Sequence, residues 1–194
     1  VNDLANYPKD VLVQKFGQVG EKIHELAFAH DDRPVIPFLL PKSCGNECTF
    51  EKDQMDLMVV KNMLLTLCEK VGYRLRQQGL KGKTITLKVR LSDFTNIHPS
   101  LSIGQYTNQS GLIYETAIQL LKQTDLKGKP VRLIGVSMSN LVLGDSQLWL
   151  FQEEEKKLDR LSEAIDKLNE KYKDQVVNRA SISSMCATCP IALS

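Results

Sequence analysis

The sequence predicts an α+β fold: a βαββαβ unit forming a four-stranded antiparallel sheet with two helices on one face. A short helical segment precedes this unit and a C-terminal helix follows it. Three observations carry the prediction. Thr84 to Ser92 alternates strictly, with Ile85, Leu87, Val89 and Leu91 on one side and Thr84, Thr86, Lys88, Arg90 and Ser92 on the other. Period two with one apolar side marks a half-buried strand. Leu57, Val60, Leu64, Leu67, Val71 and Leu75 recur at helical spacing and form one continuous stripe. An internal echo suggests that the strand recurs: Leu80-Lys81-Gly82-Lys83 returns as Leu126-Lys127-Gly128-Lys129, and Val89 to Phe94 returns as Val136 to Leu141. The offset grows by one residue between the two matches, which points to a bulge or a shifted start.

In chain order, Asp3 to Ala29 reads as helical. Leu4, Val11, Leu12 and Phe16 fall at helical spacing, and Pro8 suits a first helical turn. Phe16-Gly17-Gln18-Val19-Gly20 breaks the pattern, and a second helix carries Ile23, Leu26 and Ala27. Two readings fit. One is a plain helical hairpin. The other is a turn around Gly17 and Gly20 that exposes backbone N–H groups to a phosphate at the second helix's N-terminus. These residues are too few for a core of their own. Pro34, Pro37 and Pro41 then read as an extended linker. The helical part is therefore placed at 1–32 and the linker at 33–41.

The sheet domain is placed at 42–143. Lys42 to Lys52 is its first strand, where Ser43, Gly45, Glu47 and Thr49 alternate with Cys44, Cys48 and Phe50. Asp53 is expected to cap the next helix, with Asp56 favourable near its positive end. That helix runs to about Gln78, with Cys68 as an inert buried thiol. After the central strand, Leu101 and Ile103 share an apolar side, and His98, Ser100 and Ser102 a polar one. Ser110 or Asn108 starts a helix bearing Ile113, Ala117, Leu120 and Leu121. Val131 to Leu141 is the last strand, with Val136 and Met138 toward the core and Gly135, Ser137 and Ser139 on the hydroxyl side.

Residues 144–152 leave this domain, with Leu148, Trp149, Leu150 and Phe151 crowded together. Within 153–194, Glu153 to Lys173 is a charged helix. Its Leu158, Leu161, Ile165, Leu168 and Tyr172 alternate at spacings of three and four. That stripe calls for a partner, either a groove in its own domain or a second chain through which the protein self-associates. Asn178 to Ser194 reads as a mobile tail.

Composition narrows the class. Apolar residues make up 42% and charged residues 25% of 194 positions, the balance of a globular chain. The net charge is +2, so any basic surface is local. No apolar run approaches the roughly 20 residues of a membrane span. Val1-Asn2-Asp3 is polar, shows no signal peptide and lacks an initiator Met, so the chain reads as cut from something longer. Five unevenly spaced cysteines make no disulfide framework, which points to a reducing cytoplasm.

No catalytic or metal centre is legible. His24, His30 and His98 have no nucleophile or ligand cluster near them in sequence. Cys186-Ala187-Thr188-Cys189 supplies a single Cys-x-x-Cys, and four-ligand zinc needs two more donors. No Gly-rich nucleotide loop occurs. A binding module remains. The polar side of the central strands offers hydroxyls, Lys and Arg, which suit phosphate oxygens. It also fits an ordinary solvent face, since Thr and Ser favour strands. It carries no aromatic ring before Tyr106, so backbone contact with a nucleic acid is expected ahead of base stacking.

Several segments resemble one family. Lys42-Ser43-Cys44-Gly45-Asn46-Glu47-Cys48-Thr49-Phe50 is similar to the Lys-Ser-Ile-Gly-x-Glu-x-Thr-Phe strand of the Y-family, translesion DNA polymerases. Val89 to Phe94 and Val131 to Leu141 resemble later strands of that family's little finger. Phe16 to Gly20, Leu26-Ala27 and Asp32-Arg33-Pro34-Val35 resemble the end of its thumb. Gln147-Leu148-Trp149-Leu150-Phe151 resembles its sliding-clamp-binding peptide. The tail helix running into Asn178-Arg179-Ala180-Ser181 resembles the Gram-positive DNA polymerase IV branch, which includes a UV-damage-repair subgroup.

The resemblance implies a C-terminal fragment of an error-prone polymerase acting in translesion synthesis and DNA repair. It would hold the thumb's end, a linker, the little finger and the clamp-docking tail. The palm, with its magnesium-binding carboxylates, would precede Val1, so the fragment needs no cofactor and is inactive alone. By carry-over, Lys42, Ser43, Thr49, Arg90, Ser100 and Ser137 grip the template–primer duplex. Gly45, Thr86, Lys88 and His98 lie on the same strands and complete the expected contacts. Gly17, Gly20 and Lys22 would be the thumb's phosphate contacts. Gln147, Leu148, Leu150 and Phe151 would enter a bacterial sliding clamp. Three departures stand out. His98-Pro99-Ser100 replaces the family's frequent Thr-Arg-Ser and loses a cation. Cys44 and Cys48 replace other residue types. Trp149 replaces a small or acidic residue. The rival reading is a freestanding ferredoxin-like module that binds nucleic acid or protein and has no catalytic role.

Overall fold

The computed structural model describes residues 1–34, 40–144 and 153–172, with the side chains of 153–156, 158 and 159 excepted. The chain divides into two compact units, Val1–Leu40 and Pro41–Ser194.

The second unit begins with β1 (Ser43–Gln54), α4 (Leu57–Gln77) and β2 (Leu80–Leu91). The edge strand that follows is broken into β3 (Asn96–Ile97) and β4 (Ser100–Thr107). Then come α5 (Ser110–Gln123), β5 (Val131–Ser139), β6 (Val142–Leu143) and α6 (Glu153–Tyr172). The sheet order is β1-β5-β2, with β3 and β4 both pairing the far side of β2. Every pairing is antiparallel. β1 and β2, joined by α4, therefore run parallel with β5 between them. β4 and β5, joined by α5, run parallel with β2 between them. Two split βαβ units interleave, which places both crossover helices on one face.

Alternation decides which face that is. Ile85, Leu87, Val89 and Leu91 are fully buried, as are Ile134 and Met138 of β5. Val60, Leu64, Val71 and Leu75 of α4 and Ile113 and Ala117 of α5 close over them in one cluster. Cys68 lies in the same cluster, and burial pushes its thiol well above the ordinary range. It is an inert core residue, as its place beside the stripe predicts.

The start of α4 differs from expectation. The α4 cap is Asp56, whose side chain accepts from the Met58 N–H at 2.7 Å. Asp53 still belongs to β1, and its carboxylate lies 3.7 Å from the Arg132 guanidinium. Leu57 is the first helical residue and stays exposed, so the stripe begins at Val60. α5 starts at Ser110, one of the two expected starts, with Gln109 in its cap position. The two echoed Leu-Lys-Gly-Lys segments fold differently. Leu80 to Lys83 already runs in β2, whereas Lys127 and Gly128 form a turn at φ values of +52° and +63°. Leu101 is also exposed rather than core, because β4 is an edge strand with a neighbour on one side only.

The first unit holds α1 (Asn2–Ala5), α2 (Lys9–Phe16) and α3 (Gln18–Ala27). Pro8 caps α2 and Gly17, at φ +60°, joins α2 to α3. Among its described apolar side chains only Leu12 is buried, while Phe16, Val19 and Phe28 are exposed. That agrees with a segment too short for its own core.

Candidate nucleic-acid interface

The face of the sheet opposite the helices is polar, and its cross-strand rows can be read from the register. The first row is Ser43, Ser139, Thr84 and Ser102; the second is Gly45, Ser137, Thr86 and Ser100. The third is Glu47, Gly135 and Lys88, and the fourth is Thr49, Leu133, Arg90 and Asn96. Pairing on both sides of the β3–β4 break sets His98 opposite Lys88. Of the ten residues expected to meet duplex DNA, nine thus fall on this one face. Lys42 is exposed immediately ahead of β1.

The face has two ends of different chemistry. At one end hydroxyls hold one another. Thr84 Oγ1 and Ser102 Oγ are 2.8 Å apart, and Asn140 Nδ2 donates to Thr84 Oγ1 at 2.8 Å. At the other end the cations are already engaged. Lys88 Nζ lies 2.6 Å from Glu47 Oε2, and Arg90 Nε donates to Asn96 Oδ1 at 2.8 Å. Leu133 is buried between Thr49 and Arg90, outside the main core, as an apolar floor to this end. A depression of about 380 Å³ opens beside Glu47, Lys88, Gly135 and Ser137.

The reach of Lys88 to Glu47 depends on Gly135. Lys88 and Glu47 stand on β2 and β1, separated by β5, so about 9–10 Å of sheet lies between their backbones. Gly135 occupies the same row between them. A Cβ there would come within 2.7 Å of the Glu47 Cβ. With no side chain in the way, the Lys88 ammonium meets the Glu47 carboxylate across β5. Sequence reasoning missed the roles of Glu47, Gly135 and Asn96. The parity of Glu47 was legible, but its partner depends on register.

The face ends in a tight turn after β2. Phe94 there has φ +65° and is exposed, an uncommon backbone state for a bulky residue. The Arg132 guanidinium covers its ring at 4.6 Å. Lys129 Nζ holds Asp93 at 2.5 Å, and that interaction, with the Thr95 N–H, lowers the Asp93 carboxyl to about 2. Tyr106 on the edge strand faces the Lys83 ammonium at 5.7 Å.

In the first unit the expected phosphate turn is the junction of α2 and α3 at Gly17. α3 starts directly at Gln18, and the Gly20 N–H donates to the Gly17 carbonyl at 2.9 Å. Gly20 is buried, and a Cβ there would lie 2.1 Å from the Leu12 carbonyl oxygen. Its lack of a side chain serves helix-to-helix packing. Lys22 lines a separate hollow of about 680 Å³ with Glu25, His30, Asp32 and Arg33. Gln147, Leu148, Leu150 and Phe151 lie outside the described residues, as do Cys186 and Cys189. Among the described residues no group of three or more His, Cys, Asp or Glu side chains could hold a metal ion. No helix among them is long and apolar enough to cross a membrane.

Known proteins bear out the sequence resemblance. Residues 41–150 match the impB/mucB/samB family C-terminal domain. The chain is 36% identical over 183 residues to DNA polymerase IV of Pelotomaculum thermopropionicum, covering 93% of this chain and 45% of that protein. It is 34% identical to DNA polymerase IV of Moorella thermoacetica, covering 93% of this chain and 46% of the relative. Over 127 residues it is 39% identical to DNA polymerase IV of Clostridioides difficile, covering 65% of this chain and 35% of the relative. The chain thus spans about half the length, or less, of these curated relatives. With its βαββαβ sheet and these matches, the chain belongs to the impB/mucB/samB family of Y-family polymerases and carries the family's C-terminal domain.

Proposed function

We propose that this chain is the duplex-holding part of a DNA-directed DNA polymerase of the translesion type. The observation that carries this is the single open sheet face, on which hydroxyls from four strands and the cations Lys88 and Arg90 stand together opposite the helix layer. Hydroxyls and cations spaced along strands suit a run of backbone phosphates, and contacts of that kind position a duplex without reading its sequence. Binding by the isolated chain is expected to be weak, on the order of 1–100 μM at physiological salt.

In the whole protein, nucleotidyl transfer and the magnesium ions it needs would belong to residues outside 1–194. Gln147, Leu148, Leu150 and Phe151 would dock the enzyme on a sliding clamp, as the family resemblance implies, by placing apolar anchors in a groove.

Fluorescence anisotropy with labelled duplexes of unrelated sequence tests the reading. Lys88→Ala with Arg90→Ala should weaken binding equally for all of them. It should also reduce the slope of log affinity against log salt by up to about 2, near 0.9 for each phosphate that is no longer neutralised. A strong preference for one sequence, or a double variant that binds like wild type, counts against it. Binding of a protein partner without any duplex affinity would favour the freestanding module instead.

A further inference from the structure

We infer that Glu47 sets the strength of the duplex grip by competing with phosphate for the Lys88 ammonium. The inference rests on the proposed reading of this face as a duplex-binding surface and adds a positioning residue to it. Glu47 is the acidic member of the rows that hold the expected contacts. Its carboxylate sits 2.6 Å from Lys88 Nζ, with side-chain exposures of 50% for Glu47 and 30% for Lys88. An ion pair so exposed is cheaply broken, because water screens it and two long side chains lose freedom in making it. Lys88 is therefore held but not locked.

The geometry adds a direction. Across the row position of Gly135, the Lys88 ammonium is drawn toward Glu47 of β1. A duplex phosphate arriving on the open face meets a rung whose charges cancel. To use Lys88 it must displace Glu47, and the freed carboxylate then stays close to the phosphate as a like charge. Both effects lower affinity. Arg90 differs, since its partner Asn96 is neutral and leaves its charge uncompensated. The two cations thus have unequal parts: Arg90 supplies standing attraction, and Lys88 a contact that is exchanged. A grip of this kind releases readily, which suits a protein that must move along its duplex.

The test is a double-mutant cycle in duplex binding, read by anisotropy across a salt series on the full 194-residue chain. Glu47→Gln keeps the side chain's size and removes its charge. It should tighten binding about two- to fivefold at low salt, the range a screened pair of this kind commands. Lys88→Ala should cost more in the Glu47→Gln background than in wild type, because only there is the ammonium uncommitted. Glu47→Asp, one methylene shorter and so a weaker competitor for Lys88, should bind between wild type and Glu47→Gln. Urea midpoints close to wild type establish that all variants fold.

Three results overturn the inference. Glu47→Gln could leave affinity unchanged. It could weaken binding, which would make Glu47 a support for Lys88. It could tighten binding equally with and without Lys88, which would make Glu47 a general repulsive charge. A wild-type chain that binds no duplex at all overturns instead the reading of the face on which the inference rests.

Discussion

α4 and α6 are helices of similar length, and each carries an apolar stripe in sequence, yet they meet the domain in opposite ways. α4 turns Val60, Leu64, Leu67, Val71 and Leu75 onto the sheet and buries them all. α6 leaves Leu161, Leu168 and Tyr172 exposed and buries Asp166 instead. The Asp166 carboxylate takes a two-pronged contact from Arg76 of α4, Nε to Oδ2 at 2.6 Å and Nη2 to Oδ1 at 3.0 Å. Arg76 Nη1 also donates to the Asn108 carbonyl at 3.0 Å. One turn further along α6, Glu170 accepts from the Tyr73 hydroxyl at 3.2 Å and from the Gln77 amide. Ser162 Oγ donates to Gln109 Oε1 at 3.1 Å.

Spacing therefore finds an amphipathic helix without finding the surface it will meet. α4 faces the apolar side of the sheet, so its stripe is what docks. α6 arrives on the outer side of the helix layer. There Tyr73, Arg76 and Gln77 present a row of donors at helical spacing. Acceptors at Asp166 and Glu170, also a helical turn apart, match that row. A groove in its own domain is thus met through polar groups. Of the two partners expected for the stripe, a groove in its own domain or a second chain, the first is not reached by Leu161, Leu168 and Tyr172, which stay exposed. The same dock raises the Tyr73 hydroxyl above its ordinary range, chiefly through burial and then through Glu170.

The largest effect should come from the apolar side of the comparison. Leu64→Ala removes a fully buried side chain between sheet and helix layer and should cost about 2–5 kcal/mol. The urea midpoint reads this directly. A midpoint like wild type would mean that the α4 stripe does not hold the core.

Next is the polar dock. Asp166→Ala strands the Arg76 guanidinium in a site where its side chain is only 12% exposed. Breaking a fully buried pair costs about 3–5 kcal/mol, and the remaining Asn108 contact and partial exposure reduce this to roughly 1–3 kcal/mol. The loss should be local. Amide exchange should speed up along α6 and leave β2 and β5 protected. Uniform deprotection would show instead that α6 belongs to the same cooperative unit as the core.

A smaller effect is expected where the sequence alone would place a large one. Leu161→Ser with Leu168→Ser removes two apolar residues from the stripe, but both are exposed, at 57% and 44%. The midpoint should move by no more than about 0.5 kcal/mol. Sedimentation should be unchanged if the stripe meets no second chain. A clear fall in mass would show that it does.

The smallest effect contrasts Asp166 with the exposed ion pair of Asp93 and Lys129. Lys129 and the Thr95 N–H hold Asp93 below its ordinary value of 3.8, at about 2. A carboxyl depressed in the folded state adds stability above its unfolded value and loses it as the pH falls through the folded one. A slight decline is therefore expected between about pH 4 and pH 2 on this account. Asp93→Asn should remove that part of the decline, and added salt should shrink it. An unchanged acid limb in the variant would assign the decline to other carboxylates.

Read alone, the sequence settles what is local and periodic. The alternation from Thr84 to Ser92 assigns both faces of β2, and the stripe from Val60 to Leu75 assigns the buried side of α4. Backbone geometry fixes these periods at two and 3.6 residues, so neighbours in sequence are enough to read them. The polar residues of the open face are legible for the same reason. What those residues touch emerges only when the chain packs. Glu47 and Lys88 are 41 positions apart, and Arg76 and Asp166 are 90. Their meeting depends on β5 lying between β1 and β2, on a glycine in the shared row, and on which side of α6 turns inward. Even the cap of α4 moves from Asp53 to Asp56, because β1 runs on through Asp53 to Gln54 before the chain can turn. Period is a property of a segment, whereas register and partner come from the order in which segments pack.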